Sequence, residues 1–392
     1  MKEYKIAKGW AIFIYVGGVL LIALFSWLLL MPFIPSMKGD ISPASYWFLT
    51  PTALIMIALM VVGIIDTMKS KFVIDEYQIS MVSTFSNRQL MLDEIMGYRI
   101  TDNYILIESN NKLKKPIKVS TYLEGNEEIL LWLSRHFSDL DIANANQEKK
   151  EILNNEKFGL HIKDREEQLN KAKKITTYLN WIGLIIGLWV IFLANPYEYS
   201  VSVSMIFPVI CLFVVKYFKG LIRIDEKKDS AYPSIFLAIL VPSSGLCLRA
   251  ILDYNIFDYS NVWKPTILIT SIYLAVLTFR NKEFKLNKAK DYFSVLSIAL
   301  FIFAYAYGAV IALNCVYDPS VPEKFNAIII SKRIDSDKLT TYYLKLTPWS
   351  YQKSNSEVTV TEELYNRLNE KDKVNIYFKK GLLEIPWFDV SK

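Results

Sequence analysis

The chain has 392 residues, 52% hydrophobic and 21% charged, with 45 Lys and Arg against 39 Asp and Glu for a net charge of +6. Those totals sit modestly on the apolar side of a soluble domain, but the charges are segregated: residues 10–31 and 292–317 run for 22 and 26 residues without one. Runs of that length match the hydrocarbon thickness of a bilayer, and they exclude an ordinary soluble protein as well as disordered, collagen-like and disulfide-scaffold classes.

Seven stretches lack Asp, Glu, Lys and Arg: residues 10–31, 46–65, 175–197, 199–215, 230–248, 265–279 and 292–317. Each reads as a transmembrane helix. The fourth and sixth are the shortest, and Trp263 and Lys264 can anchor the start of the sixth at the interface. The first run is longer than a signal h-region and no small-x-small cleavage site follows Met31, so it reads as a span and not as a cleaved leader. Basic residues gather in alternate connections, as they do in cytoplasmic loops. With the N-terminus inside, the inner segments hold Lys2, Lys5 and Lys8, then Lys69 and Lys71, then Lys171, Lys173 and Lys174. Lys216, Lys219, Arg223, Lys227 and Lys228 follow, and then Arg280, Lys282, Lys285, Lys288 and Lys290. The outer loops hold Lys38 and Lys264, the latter with Asp253 and Asp258, and Arg249 stands at the end of the fifth span. This asymmetry predicts a multi-pass protein of the plasma (inner) membrane, N-terminus cytoplasmic and C-terminus extracytoplasmic.

Residues 69–177 carry 17 basic and 17 acidic residues. Their first half alternates and is rich in strand formers, at 71–75, 77–82, 89–92, 96–101, 104–108 and 116–120. Short strands between polar turns predict an antiparallel sandwich or barrel. Asn126 is expected to cap a helix with Glu127 and Glu128 in its first turn. Ile129, Leu130, Leu133 and Phe137 would share that helix's buried face.

That order of strands, the Leu92-Asp93-Glu94-Ile95 segment at the place of an aromatic-x-Glu-Ile turn, and the closing helix resemble the bacterial pleckstrin-homology-like domain across residues 69–137. The resemblance implies a small binding or self-association module without a catalytic site. Arg88, Lys112, Lys114, Lys115 and Lys118 form a candidate contact for anionic lipid or a partner, since a charge near an anionic leaflet gains about 1 kcal/mol. The competing reading is a solvated, lysine-rich hairpin, because the section's net charge is zero.

Residues 138–177 read as a helical connector with mixed-sign surfaces and no heptad. Residues 178–318 read as a five-helix bundle. No span carries a central ionisable residue of the kind intramembrane transport or catalysis uses; Asp66 and Arg249 fall at span ends. No His-Glu-x-x-His, Gly-x-Ser-x-Gly or Walker sequence occurs. Pro242, Ser243, Ser244 and Gly245 form a candidate mid-membrane helix break, a feature that can frame a substrate site, to be weighed against a kink satisfied by neighbouring groups. Gly183 and Gly187 fit a small-xxx-small packing motif. Cys211, Cys247 and Cys315 lie far apart in apolar runs, and His136 and His161 lack partners at ligand spacing, so no disulfide framework, metal or cofactor is expected.

After Pro319 and Pro322 the pattern alternates again. Strands are predicted at 325–330, 342–347, 357–360, 373–379 and 385–388, with Thr361 capping a short helix over 362–368. The stretch from Glu363 to Trp387 is similar to a small β domain that ends other uncharacterised bacterial membrane proteins, a similarity that implies no function. Core packing is the preferred reading for Trp387 and Phe388.

The fold class that results is a polytopic α-helical membrane protein of about seven spans, with an inserted cytoplasmic PH-like β-sandwich or barrel plus helix and a small C-terminal β-rich domain. Its parts are a transmembrane hairpin (1–68), the PH-like domain (69–137), the helical connector (138–177), the five-helix bundle (178–318) and the extracytoplasmic domain (319–392). The functional expectation is a non-enzymatic membrane scaffold, sensor or accessory protein coupling the two modules. A small-solute or lipid transporter and a membrane enzyme with an unrecognised site are the alternatives. Expected partners are the lipid bilayer, and other membrane proteins or a second copy through the PH-like domain. A dispersed +6 offers no concentrated basic face for nucleic acid.

Overall fold

The computed structural model describes residues 1–31, 43–111, 113–224, 229–278, 289–335 and 340–392. The chain divides into two compact units, residues 1–147 and 148–392.

In the first unit, β1 (Lys2–Lys5) leads into α1 (Lys8–Leu30), and α2 (Pro43–Lys69) leads into β2 (Lys71–Ile74). β1 and β2 pair antiparallel with Lys5 opposite Lys71, so the two helices leave the sheet from neighbouring strands. β3 (Gln78–Val82) and β4 (Asn87–Met91) complete a sheet of order β1-β2-β3-β4. β5 (Ile95–Ile100), β6 (Tyr104–Ser109) and β7 (Ile117–Ser120) form a three-stranded sheet, followed by α3 (Asn126–His136). Alternation produces this core: Ile105, Ile107, Ile117 and Val119 are fully buried, while Lys118 between the last two is exposed. On α3, Ile129 and Leu133 stand one helical turn apart and are likewise fully buried. Each such aliphatic side chain contributes about 1.5–3 kcal/mol through burial.

β1 lies outside the 69–137 segment in which the sheet is expected. Its Tyr4 is 7% exposed and packs in the sheet core. The Ala7 N–H donates to the Tyr122 carbonyl at 2.9 Å, and the Glu124 N–H donates to the Lys5 carbonyl at 2.8 Å. Gly125, and not Asn126, occupies the N-cap of α3. Its φ of +75° suits glycine, and a Cβ there would lie 3.0 Å from the Tyr4 ring. α4 (Leu140–Asn154) follows.

The second unit contains α5 (Ile162–Leu188) with a π turn at Trp189–Leu193, α6 (Tyr197–Tyr217), α7 (Phe236–Leu252), the two-residue β8 (Asn255–Ile256), α8 (Trp263–Thr278) and α9 (Ala289–Val316). Then come β9 (Glu323–Asp335), β10 (Thr341–Leu346), β11 (Ser356–Val360), α10 (Glu362–Arg367), β12 (Lys373–Lys379) and β13 (Trp387–Ser391). Among the described residues, five helices (α1, α2, α5 with its π turn, α6 and α9) are long and apolar enough to cross a membrane. α7 and α8 are apolar but only 17 and 16 residues long.

α7 runs unbroken through Pro242, Ser243, Ser244 and Gly245, so the expected helix break is absent. Proline there removes the donor that the Ala238 carbonyl would receive from residue 242. That carbonyl faces Gly183 of α5, where a Cβ would come within 2.9 Å of its oxygen. Gly245 likewise lies where a Cβ would be 2.5 Å from Val190. Small residues therefore bring α5 and α7 backbone to backbone, and close packing holds the helix where proline has cost it one rung.

The strands of this unit form one antiparallel sheet of order β11-β10-β9-β12-β13-β8. Its core gathers Ile329, Leu344, Leu346, Val374, Ile376 and Phe388 among others. The last strand begins at Trp387, two residues later than the sequence pattern suggests, because buried Ile385 packs instead against α9 residues Val310, Ile311 and Cys315.

Candidate functional site

The sheet of the second unit is anchored to the helices by three polar joints. Asn314, fully buried on α9, donates from Nδ2 to the Ile385 carbonyl at 2.9 Å and accepts the Leu383 N–H on Oδ1 at 2.9 Å. Asp318 accepts the Ser320 N–H (2.9 Å), the Gly381 N–H (3.1 Å) and the Trp387 indole N–H (2.9 Å). Partial burial alone would raise its pKa; the neighbouring Ser320 hydroxyl and these donors outweigh that and hold the carboxyl below its usual range. The third joint is β8, from the loop between α7 and α8, which pairs with Trp387 and Phe388 of β13.

β8 and β11 are the two edges of the sheet, and Asn255 joins them. Its Nδ2 donates to the Thr359 carbonyl at 3.2 Å and its Oδ1 accepts the Thr359 N–H at 3.3 Å. A side-chain amide presents the same donor and acceptor as a peptide unit, so Asn255 supplies one rung of the strand pair that would close the sheet on itself. Beyond that rung the edges part, because the residues preceding β8 belong to the end of α7 and do not continue the strand. A cleft of about 610 Å³ opens there, bounded by the end of α7, the starts of β10 and α10, and the ends of β11 and β13.

The floor of the cleft next to α7 is built from Asp253, which accepts the Tyr197 hydroxyl at 2.8 Å and lies 3.3 Å from Nη1 of Arg249. Arg249 is held in turn by the carbonyls of Val190 (2.7 Å) and Ile191 (3.0 Å) in the π turn. Guanidinium satisfaction of carbonyls freed at a helix end is the expected use of a basic residue in that place. Tyr254 stands edge-on to Trp387, ring centroids 5.9 Å apart. Glu362 and Asp389 line the opposite rim. Desolvation, and then the Glu362 carboxylate, push the Tyr342 hydroxyl up from its ordinary range.

The residues expected to meet lipid or a partner are placed differently. Arg88 donates to the Pro116 carbonyl at 2.7 Å, Lys114 reaches both carboxylate oxygens of Glu94 at 2.7 Å, and Lys118 lies 5.9 Å from the Tyr104 ring centre. Lys115 is exposed, and Lys112 lies outside the described residues. Three of the five thus have partners within the module. Around the expected break, Ser243 is 5% exposed and Gly245 is packed on α5, so that stretch is a helix contact. Phe388 is in the sheet core and half-buried Trp387 packs against the cluster of Ile385 and α9, both as expected, and both also line the cleft. Among the described residues, no group of three or more His, Cys, Asp or Glu is placed to hold a metal ion.

Asn255 and Asp389 carry no motif, and the acidic and aromatic run Asp253-Tyr254-Asn255 is only a weak sign of the cleft. No protein-family model, curated protein or solved structure matches the chain.

Proposed function

We propose that this is a seven-span scaffold, sensor or accessory protein of the plasma (inner) membrane, with its N-terminus and a PH-like module in the cytoplasm and its C-terminal sheet outside. The observation that carries the reading is the way each β module is fixed to its helices. β1 and β2 continue directly into α1 and α2, and the second sheet takes in β8 from a helix–helix loop and is bonded to Asn314 of α9. Modules attached in this way transmit a displacement to the helices, where a flexible tether would absorb it. The two sheets of four and three strands followed by α3 support the PH-like assignment.

The count of seven is supported by the sheet itself. β8 pairs with β13, so the loop after α7 and the C-terminus share one side of the membrane. If α9 crosses, its start lies on the other side, and α8 must cross to reach it. The bond from Tyr197 to Asp253 ties the start of α6 to the end of α7, which requires α7 to cross as well.

The test is a photo-crosslinking amino acid placed in intact cells at exposed Tyr77 in the first unit and at exposed Tyr351 in the second. Specific adducts with other proteins at both positions are expected. A chain that crosslinks to nothing, and that by itself moves solute across proteoliposomes, would overturn the reading.

A further inference from the structure

We infer that the open seam of the second sheet is a binding site for an extended, positively charged peptide segment, which adds as a strand between β11 and β13. The site does not depend on the coupling role proposed above.

The backbone argument starts from the two edges. Both main-chain groups of Thr359 point out of the sheet, since both bond the Asn255 side chain. On β13, the Pro386 carbonyl receives the Phe257 N–H at 2.8 Å, so residues 386, 388 and 390 direct their backbone groups toward the seam. The β8 pairing stops at Asn255, opposite Phe388, so Val390, which pairs with Ile376 of β12 on its other side, has no strand neighbour toward the seam. Its N–H is taken instead by the side chain of Asp389, at 2.8 Å. Two side chains, Asn255 and Asp389, thus stand in for a strand that the chain does not supply. An unpaired pair of edges facing a common gap is a template for strand addition, and the gap falls within the roughly 300–1,000 Å³ of ligand clefts.

Charge selects the occupant. Three carboxylates line the cleft, and among the described residues no Lys, Arg or His does. Asp253 is neutralised by Arg249, but neither Glu362 nor Asp389 forms an ion pair among the described residues. Tyr254, Tyr342 and Trp387 add aromatic surface suited to a Lys or Arg stem and its cation. A chain with net charge +6 presents here its negative face. A basic residue on an added strand would meet Glu362 and Asp389 while the backbone takes over the rungs that Asn255 and Asp389 now fill.

The experiment uses the full chain in nanodiscs and a fluorescent Thr-Lys-Val-Lys-Thr peptide read by anisotropy. The expected result is saturable binding that weakens about tenfold or more in Glu362→Gln with Asp389→Asn. A backbone N-methylated peptide and a Thr-Glu-Val-Glu-Thr peptide should each bind at least tenfold more weakly, and spermidine should not compete. Binding should also slow amide exchange at Val390. Three results would overturn the proposal: equal affinity for the N-methylated peptide, which removes strand addition; effective competition by spermidine, which leaves charge alone; and no binding by the parent peptide. Intact thermal unfolding of the double variant separates lost binding from lost fold.

Discussion

Asp318 shows how one side chain can hold a joint and give it a pH dependence. Three N–H groups from Ser320, Gly381 and Trp387 converge on it, and its carboxyl is held below the ordinary range. A carboxyl whose pKa is lower folded than unfolded stabilises the fold above its unfolded pKa, and that contribution is lost as pH falls through the folded value. Wild-type protein in detergent should therefore lose thermal stability as pH drops below about 4, the usual Asp value. Asp318→Asn should be less stable at pH 7 by about 1.5–3 kcal/mol, the worth of a hydrogen bond to a charged group. It should also lose less than wild type on acidification. Thermal unfolding of both proteins between neutral and acidic pH checks this, and parallel curves would remove Asp318 as the source. Gly381, whose N–H is one of the three donors, has φ +80°, and a Cβ there would press on the Asn314 side chain. Joint and turn therefore constrain each other.

At the scale of elements, the α5–α7 contact is where the sequence and the fold disagree most usefully. A Cβ on Gly183 would lie 2.5 Å from the Ala238 Cα, a backbone atom that cannot swing aside. Gly183→Val should destabilise the protein by about 1–3 kcal/mol, as overpacking does. Ser244→Ala, on the exposed face of the same helix, should stay within about 0.5 kcal/mol. Thermal unfolding in detergent distinguishes the two, and equal effects would mean that the helices are not closely packed there. The Pro-Ser-Ser-Gly stretch looks like a break because local sequence displays the missing N–H and not the glycine on the facing helix. Longer elements were readable for the converse reason. Alternation over β12 or β7, and hydropathy over α1, repeat often enough to declare a period. β1 has four residues and finds its partner across the α1–α2 hairpin, while β8 has two and no period at all. The seam was hidden with β8, since Asn255 acquires its role only from Thr359, 104 residues away. The lysines near residue 115 and Arg88 were visible as basic residues, but Glu94, which engages Lys114, and the Pro116 carbonyl, which engages Arg88, are brought to them by the sheet.

For the whole molecule, the number of crossings is the quantity on which the proposed function turns. At a rise of about 1.5 Å per residue, α7 and α8 are roughly 24–26 Å long, short of a hydrocarbon core of about 30 Å. Short spans are accommodated by local thinning and by anchors at their ends, and Arg249, Trp263 and Lys264 are placed to provide them. A five-span arrangement, with α7 and α8 lying on the membrane, leaves the C-terminus outside just as seven spans do, so the location of the C-terminus cannot distinguish the two. The loop between α7 and α8 can. Seven spans put residues 253–262 outside with the sheet to which β8 belongs; five put them inside, which would tear β8 from β13. Single cysteines at Ser260, Tyr351 and Tyr77, with Cys211, Cys247 and Cys315 replaced by Ala, resolve the matter, since all three positions are exposed. An impermeant maleimide added to intact cells should label the cysteines at 260 and 351 alike, and the one at 77 only after permeabilisation. Labelling at 351 without labelling at 260 would reject the seven-span arrangement, and with it the pairing of β8 and β13 that creates the seam.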